Sequence, residues 1–107
     1  LTAGKVSLVE VEMMNFLALL IEFLGTFIFF SVILATGNPW AIGAALAVLI
    51  FLGSSISGGH FNPGVTIMFL YNRGITTENA VGYIMAQLAA AILAVVVYTQ
   101  LKKGGVL

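Results

Sequence analysis

Cysteine is absent from the 107 residues, and charge is scarce: Lys and Arg together number 4, Asp and Glu 4, and His 1. Without a thiol there is no disulfide framework and no thiolate metal site, and nothing marks a redox compartment. A lone His with scattered carboxylates falls short of the roughly four ligands that a zinc-type centre needs. No metal and no cofactor is therefore expected. The formal net charge is zero, which leaves no basic surface for nucleic acid and no field to attract an acidic partner. Charged residues make up 7% of the chain, against roughly 25% in soluble domains. What fills the space is apolar: 61% of residues are hydrophobic and the mean hydropathy is +1.14. Such a chain is expected in a lipid bilayer, as one domain at most. No cleavable signal peptide is expected, because the first apolar run is too long and Lys5 is followed by Glu10 and Glu12. The chain begins at Leu1 rather than Met, so either a trimmed start or an expression scar is expected.

One stretch breaks the apolar pattern: Ser57-Gly58-Gly59-His60-Phe61-Asn62-Pro63-Gly64-Val65-Thr66. Gly58 and Gly59 free the backbone from a helix, since they tolerate φ values that other residues avoid. Asn62 has the character of an N-cap and Pro63 that of a first helical residue, where a missing N–H costs nothing. The apolar residues that follow reach only to Tyr71 before Asn72-Arg73-Gly74 stops them. The pattern predicts a loop that turns at membrane depth and launches a short helix over residues 57–71. Irregular backbone is tolerated in a bilayer only where it lines a cavity or is buried in protein, so this stretch marks a pore or binding site.

Around it the chain reads as helices. Residues 1–12 are mixed and expected to be interfacial or frayed. Residues 13–36 are long enough to span, about 20 apolar residues being required. Gly37-Asn38-Pro39 is a tight turn, with Trp40 at an aromatic-belt position. A second, slightly short span is expected over residues 40–56. A third runs over residues 77–101, capped by Thr76 or Thr77 and ended by Lys102-Lys103. The fold class is an all-α membrane protein of three transmembrane helices plus one re-entrant half-helix. In the last helix Gly82, Ala86, Ala90 and Ala94 recur at i+4, a small-residue stripe that admits close helix packing; Gly43 and Ala47 offer a weaker version in the second.

Glu22 is the carboxylate inside an apolar run, where burial costs several kcal/mol unless the group is neutral or hydrogen-bonded. Its oxygens can accept N–H groups of the re-entrant loop, or it can serve as a proton-coupling site. Gln87, midway along the third span, both donates and accepts and so also suits clamping of irregular backbone. His60 is read as fixing the loop or lining the pore, with a plain structural hydrogen bond and a pH sensor as the alternatives.

Several of these residues together resemble the aquaporin and glycerol-channel (major intrinsic protein) family. Ile21-Glu22-Phe23-Leu24-Gly25-Thr26 is similar to that family's opening helix. Ser57 to Pro63, followed by Val65-Thr66, resembles its first re-entrant loop, and Gly82-Tyr83 with Ala86-Gln87 its third helix. The resemblance implies a passive channel for water or small neutral solutes, with no catalysis. It also implies two inverted repeats, whose two Asn-Pro-Ala half-helices meet at the midplane; this chain resembles the first repeat alone.

Three crossings put the chain ends on opposite sides, so a copy completing the pore must insert upside down. Orientation follows Lys and Arg near the spans. Lys5 and Arg73 fall on the N-terminal side and Lys102 and Lys103 on the other, two against two. That balance suits dual topology and leads to the expectation of an antiparallel homodimer, with eight chains in the family's fourfold assembly. Each half-helix then turns its positive end towards the midplane, and Asn62 offers an amide N–H to a passing oxygen. The positive ends repel cations and interrupt proton hopping.

Departures from the family bear on selectivity. Gly64 stands where the resemblance implies Ala. Val65 stands where the family's second repeat has Arg, and Ile42 falls where many members place a filter aromatic. A wider, more apolar filter is expected, admitting glycerol, urea or ammonia. The connection between the first two helices is also shorter than the family leads one to expect. Two rival readings stand beside the channel. One is a small dual-topology antiporter that exchanges protons through Glu22; the other is a non-conducting half that needs a different partner chain.

Overall fold

A computed structural model describes residues 6–107; residues 1–5, and with them Lys5 and the start of the expected interfacial segment, lie outside the described residues. Four helices follow in order: α1 (Leu8–Thr36), α2 (Pro39–Ser57), α3 (Pro63–Tyr71) and α4 (Thr77–Lys103). No strand occurs among the described residues. At about 1.5 Å per residue, α1, α2 and α4 are long and apolar enough to cross a membrane. The nine residues of α3 reach only about 14 Å, less than half of a hydrocarbon core about 30 Å thick.

Local chemistry sets each boundary. α1 begins at Leu8, not at residue 13, because Ser7 and Glu10 close a capping box: Ser7 Oγ accepts the Glu10 N–H at 3.1 Å and Glu10 Oε2 accepts the Ser7 N–H at 3.4 Å. Residues 8–12 are thus the first turn and more of a helix rather than a frayed end. Asn38 caps α2, its Oδ1 accepting from Trp40 N at 2.9 Å and Ala41 N at 3.1 Å, with Pro39 as the first helical residue. Asn62 and Pro63 start α3 in the same way. α4 is capped by Thr76, whose side chain accepts from Asn79 N, and its last turn carries Lys102 and Lys103 beside the negative helix end.

α1 lies between α2 and α4, and α3 packs on α4; α2 meets α4 only at its C-terminal end, where the Tyr83 hydroxyl reaches Ser57 O. The buried face of α1 is Ala18, Glu22, Gly25, Thr26 and Phe29, and that of α4 is Ala80, Tyr83, Gln87, Ala90 and Ala94, each a stripe of helical period. Of the small-residue run, Ala90 and Ala94 are inside this contact. Gly82 admits Leu19, whose Cδ2 lies 2.9 Å from where a Cβ would stand. Gly43 and Ala47 are exposed, and nothing lies within 4 Å of where a Cβ on Gly43 would stand. α2 fully buries only Gly53 and Ser57, and Trp40, Val48, Phe51, Leu52 and Ile56 are exposed along it.

Candidate functional site

The loop between α2 and α3 has no regular backbone partners, so each of its N–H groups must find an acceptor elsewhere if it is buried. Gly58 ends α2 at φ +92° and donates to Ser54 O at 3.0 Å. Gly59, at φ +65°, donates to Ser57 Oγ at 3.0 Å. His60 N and Phe61 N then reach across to α1, donating to Glu22 Oε2 at 2.9 Å and Glu22 Oε1 at 2.8 Å. The carbonyls of Gly58, Gly59, His60 and Phe61 accept none of the hydrogen bonds among the described residues.

Glu22 has no solvent exposure. Besides the two loop amides it accepts Ser57 Oγ at 2.7 Å and Gln87 Nε2 at 2.9 Å. Two donors per oxygen fill the lone-pair directions of a carboxylate, so three separate elements meet on one buried side chain. Gln87 gives its second amide proton to Thr66 Oγ1 at 3.0 Å. The Thr66 hydroxyl lies 2.9 Å from His60 Nδ1, within hydrogen-bond reach, with the direction set by the imidazole tautomer. The His60 ring stacks on Phe69 at 4.7 Å and meets Tyr83 edge-on at 5.1 Å. Tyr83 in turn donates its phenol to Ser57 O at 2.6 Å. Two buried oxygens of this region, Thr26 Oγ1 and Gln87 Oε1, have no partner among the described residues.

The outcome at the tip is different. Asn62 is exposed; its Oδ1 accepts Gly64 N at 2.7 Å and Val65 N at 3.3 Å, so the carbonyl end is engaged and the NH₂ end is turned outwards. Gly64 is exposed too, while Pro63 and Val65 are half-buried. The start of α3 thus presents the Asn62 NH₂ and the positive helix end on an open side of the chain, while the unpaired loop carbonyls belong to the segment just before it.

The structure brings Glu22, Gln87 and His60 into one network and sets Asn62, Pro63 and Gly64 at its tip. It does not bring Ile42 and Val65 together: they sit on α2 and α3, which are not in contact. Sequence reasoning missed Thr66 and Tyr83 as members of the network. Tyr83 lies one turn from Gln87 on the buried face of α4, and that spacing is the available signal. It also missed the seat of Phe61, a residue 1% exposed with φ at +53°.

Comparison with known proteins adds lineage to geometry. Residues 18–106 match the model of the family described as Major intrinsic protein. The chain is 45% identical over 84 residues to the glycerol uptake facilitator protein-like 6 of Lactiplantibacillus plantarum, covering 70% of this chain and 39% of that protein. It is 35% identical over 95 residues to aquaporin PIP2-7 of Arabidopsis thaliana, covering 73% and 34%. It is 32% identical over 111 residues to the probable aquaporin PIP2-8 of the same plant, covering 87% and 40%. The chain therefore spans between a third and two-fifths of the length of these relatives. No solved structure matches it.

Proposed function

Because this chain belongs to the major intrinsic protein family and is an integral, multi-pass membrane protein, we propose that it builds half of a passive channel for water and small neutral solutes. Residues 1–107 form one half-unit, and a second copy inserted upside down supplies the other half. The observation that carries this reading is the exposed Asn62-Pro63-Gly64 tip on a half-length helix. Free polar backbone at membrane depth must face protein or a water-filled space, and no other described residue covers it. A twin related by a twofold axis in the membrane plane brings its own tip to the first and makes a continuous path of donors and acceptors.

In that pair each passing oxygen accepts from the Asn62 amides and each solute N–H or O–H donates to the loop carbonyls. The two positive helix ends face each other and disfavour cations and a continuous proton wire. Flow is downhill, and no bond in the solute is made or broken. Ile42 and Val65, apart within one chain, come to opposite walls of one constriction only if they are contributed by different copies. Both are aliphatic, which favours a wide, apolar filter. The relative named a glycerol uptake facilitator makes glycerol the first solute to try, ahead of urea and ammonia. The family's fourfold assembly would hold eight such chains.

Glu22 supports the channel over a proton-driven antiporter. Four donors surround it and no exposed surface reaches it, so it is built to hold the loop rather than to load and unload a proton. The direct test is stopped-flow light scattering of proteoliposomes containing this chain alone, shrunk with sucrose and then with glycerol. Channel activity gives fast shrinkage in sucrose and fast re-swelling in glycerol without any pH gradient. Rates equal to protein-free vesicles would refute self-sufficiency, and activity restored only by a co-purifying second chain would assign the missing half to that chain.

A further inference from the structure

What fixes the position of Asn62 lies one residue before it. Among the described residues, Phe61 and Arg73 are the non-glycine positions with positive φ, at +53° and +60°. Arg73 is in an exposed turn. Phe61 is the largest of the fully buried side chains, and a bulky residue in the left-handed region persists only where its surroundings over-determine it.

The surroundings do so. The Phe61 ring enters the crossing of α1 and α2, where each helix has a glycine. A Cβ on Gly25 would overlap the ring edge, and a Cβ on Gly53 would stand 3.1 Å from Cζ. Gly59 closes a third side, its absent Cβ lying 3.5 Å from Cε2. The backbone N–H of Phe61 is held at the same time by Glu22. Ring and amide thus pin one residue at two points on either side of its Cα. The next residue has little freedom left: Asn62 precedes Pro63, which restricts it to extended backbone, and it is found at φ −161°, ψ 127°.

We infer that Phe61, seated in the slot between Gly25 and Gly53, is a positioning residue that sets the depth and aim of the Asn62 amide and thereby the solute preference of the channel. The inference rests on the pore reading for its functional half and on packing alone for its structural half. A ring in a glycine-lined slot transmits the α1–α2 crossing directly to the half-helix tip. The slot is therefore part of the selectivity machinery although it never meets solute.

The test compares the glycerol-to-water permeability ratio and the melting temperature across Phe61→Ala, Phe61→Leu, Gly25→Ala and the double variant Gly25→Ala/Phe61→Ala. The ratio is expected to shift severalfold in each variant that folds. The double variant is expected to recover stability relative to Gly25→Ala, since the methyl now has room, without recovering the ratio. A lowered melting temperature with an unchanged ratio in Phe61→Ala, or in Phe61→Leu if the former fails to fold, would make Phe61 a packing residue only and overturn the inference. If the unmodified chain conducts nothing, the pore reading falls separately. The tip is then read by the alkylation rate of Val65→Cys in vesicles, the chain having no other thiol. A severalfold change of that rate on adding Phe61→Leu supports positioning, and equal rates overturn it.

Discussion

Replacing Glu22 by Gln separates a scaffold carboxylate from a working one, and the structure sets the size of the effect. The new amide keeps one acceptor oxygen and puts NH₂ where the other oxygen was. If NH₂ takes the Oε2 place it faces Ser57 Oγ and His60 N; if it takes the Oε1 place it faces Gln87 Nε2 and Phe61 N. The serine hydroxyl and the glutamine amide can turn to accept, but a backbone N–H cannot. Either orientation therefore orphans one buried loop amide, at about 1–3 kcal/mol. The three surviving contacts lose their charge assistance, on the order of 1 kcal/mol each. That loss is offset by no longer burying a carboxylate charge, worth several kcal/mol. The orphaned amide decides the sign: Glu22→Gln is expected to destabilise by about 1–3 kcal/mol. At about 4–8 °C per kcal/mol for a chain of this size, the melting temperature in detergent falls by roughly 5–20 °C. Folded channels still conduct, and at a rate that does not depend on a pH gradient. A wild-type melting temperature would refute the loop-holding role, and gradient-driven transport abolished by the substitution would move Glu22 from scaffold to proton carrier.

Three further outcomes follow from the same geometry. Asn62→Asp keeps the side-chain oxygen that caps Gly64 N and Val65 N but removes the outward NH₂, so helicity by circular dichroism is retained while solute flux in vesicles drops sharply. If Val65 lines the proposed constriction, Val65→Arg is expected to narrow and charge it and to lower glycerol flux more than water flux in the same stopped-flow assay; an unchanged glycerol-to-water ratio would take Val65 out of the pore wall. Tyr83→Phe deletes the bond to Ser57 O and leaves a buried carbonyl short of a donor, so stability falls by about 1–2 kcal/mol in a thermal melt with permeability per channel intact.

Much of this molecule is legible in its sequence, for identifiable reasons. Polar side chains in an apolar chain are conspicuous, so Glu22, Gln87 and His60 stand out from the order of residues alone. Asn-Pro announces α3 because both residues prefer the start of a helix; the same chemistry starts α2 at Asn38-Pro39, where the sequence reads as a tight turn. The start of α1 is less legible: Glu10 and Glu12 look like interruptions of an apolar span, whereas the Ser7–Glu10 capping box makes the first of them part of the helix. Thr66 is hidden because a threonine in an apolar half-helix looks like any β-branched residue until Gln87 and His60 converge on it. Phe61 is hidden for a deeper reason. Its importance lies in two glycines, Gly25 and Gly53, that only the folded crossing of α1 and α2 brings to its ring.

The central claim is that two oppositely inserted copies meet tip to tip, and cysteine cross-linking tests it most directly, because the chain carries no thiol of its own. A disulfide requires Cα atoms about 4.4–6.8 Å apart. Gly64→Cys places a thiol on the exposed tip, and Tyr71→Cys places one at the far, exposed end of α3. In an antiparallel pair the two copies of residue 71 lie about 20 Å or more apart, on opposite sides of the membrane. Mild oxidation in native membranes is predicted to give a covalent dimer with Gly64→Cys and none with Tyr71→Cys. A dimer through position 71 and none through position 64 would contradict the account.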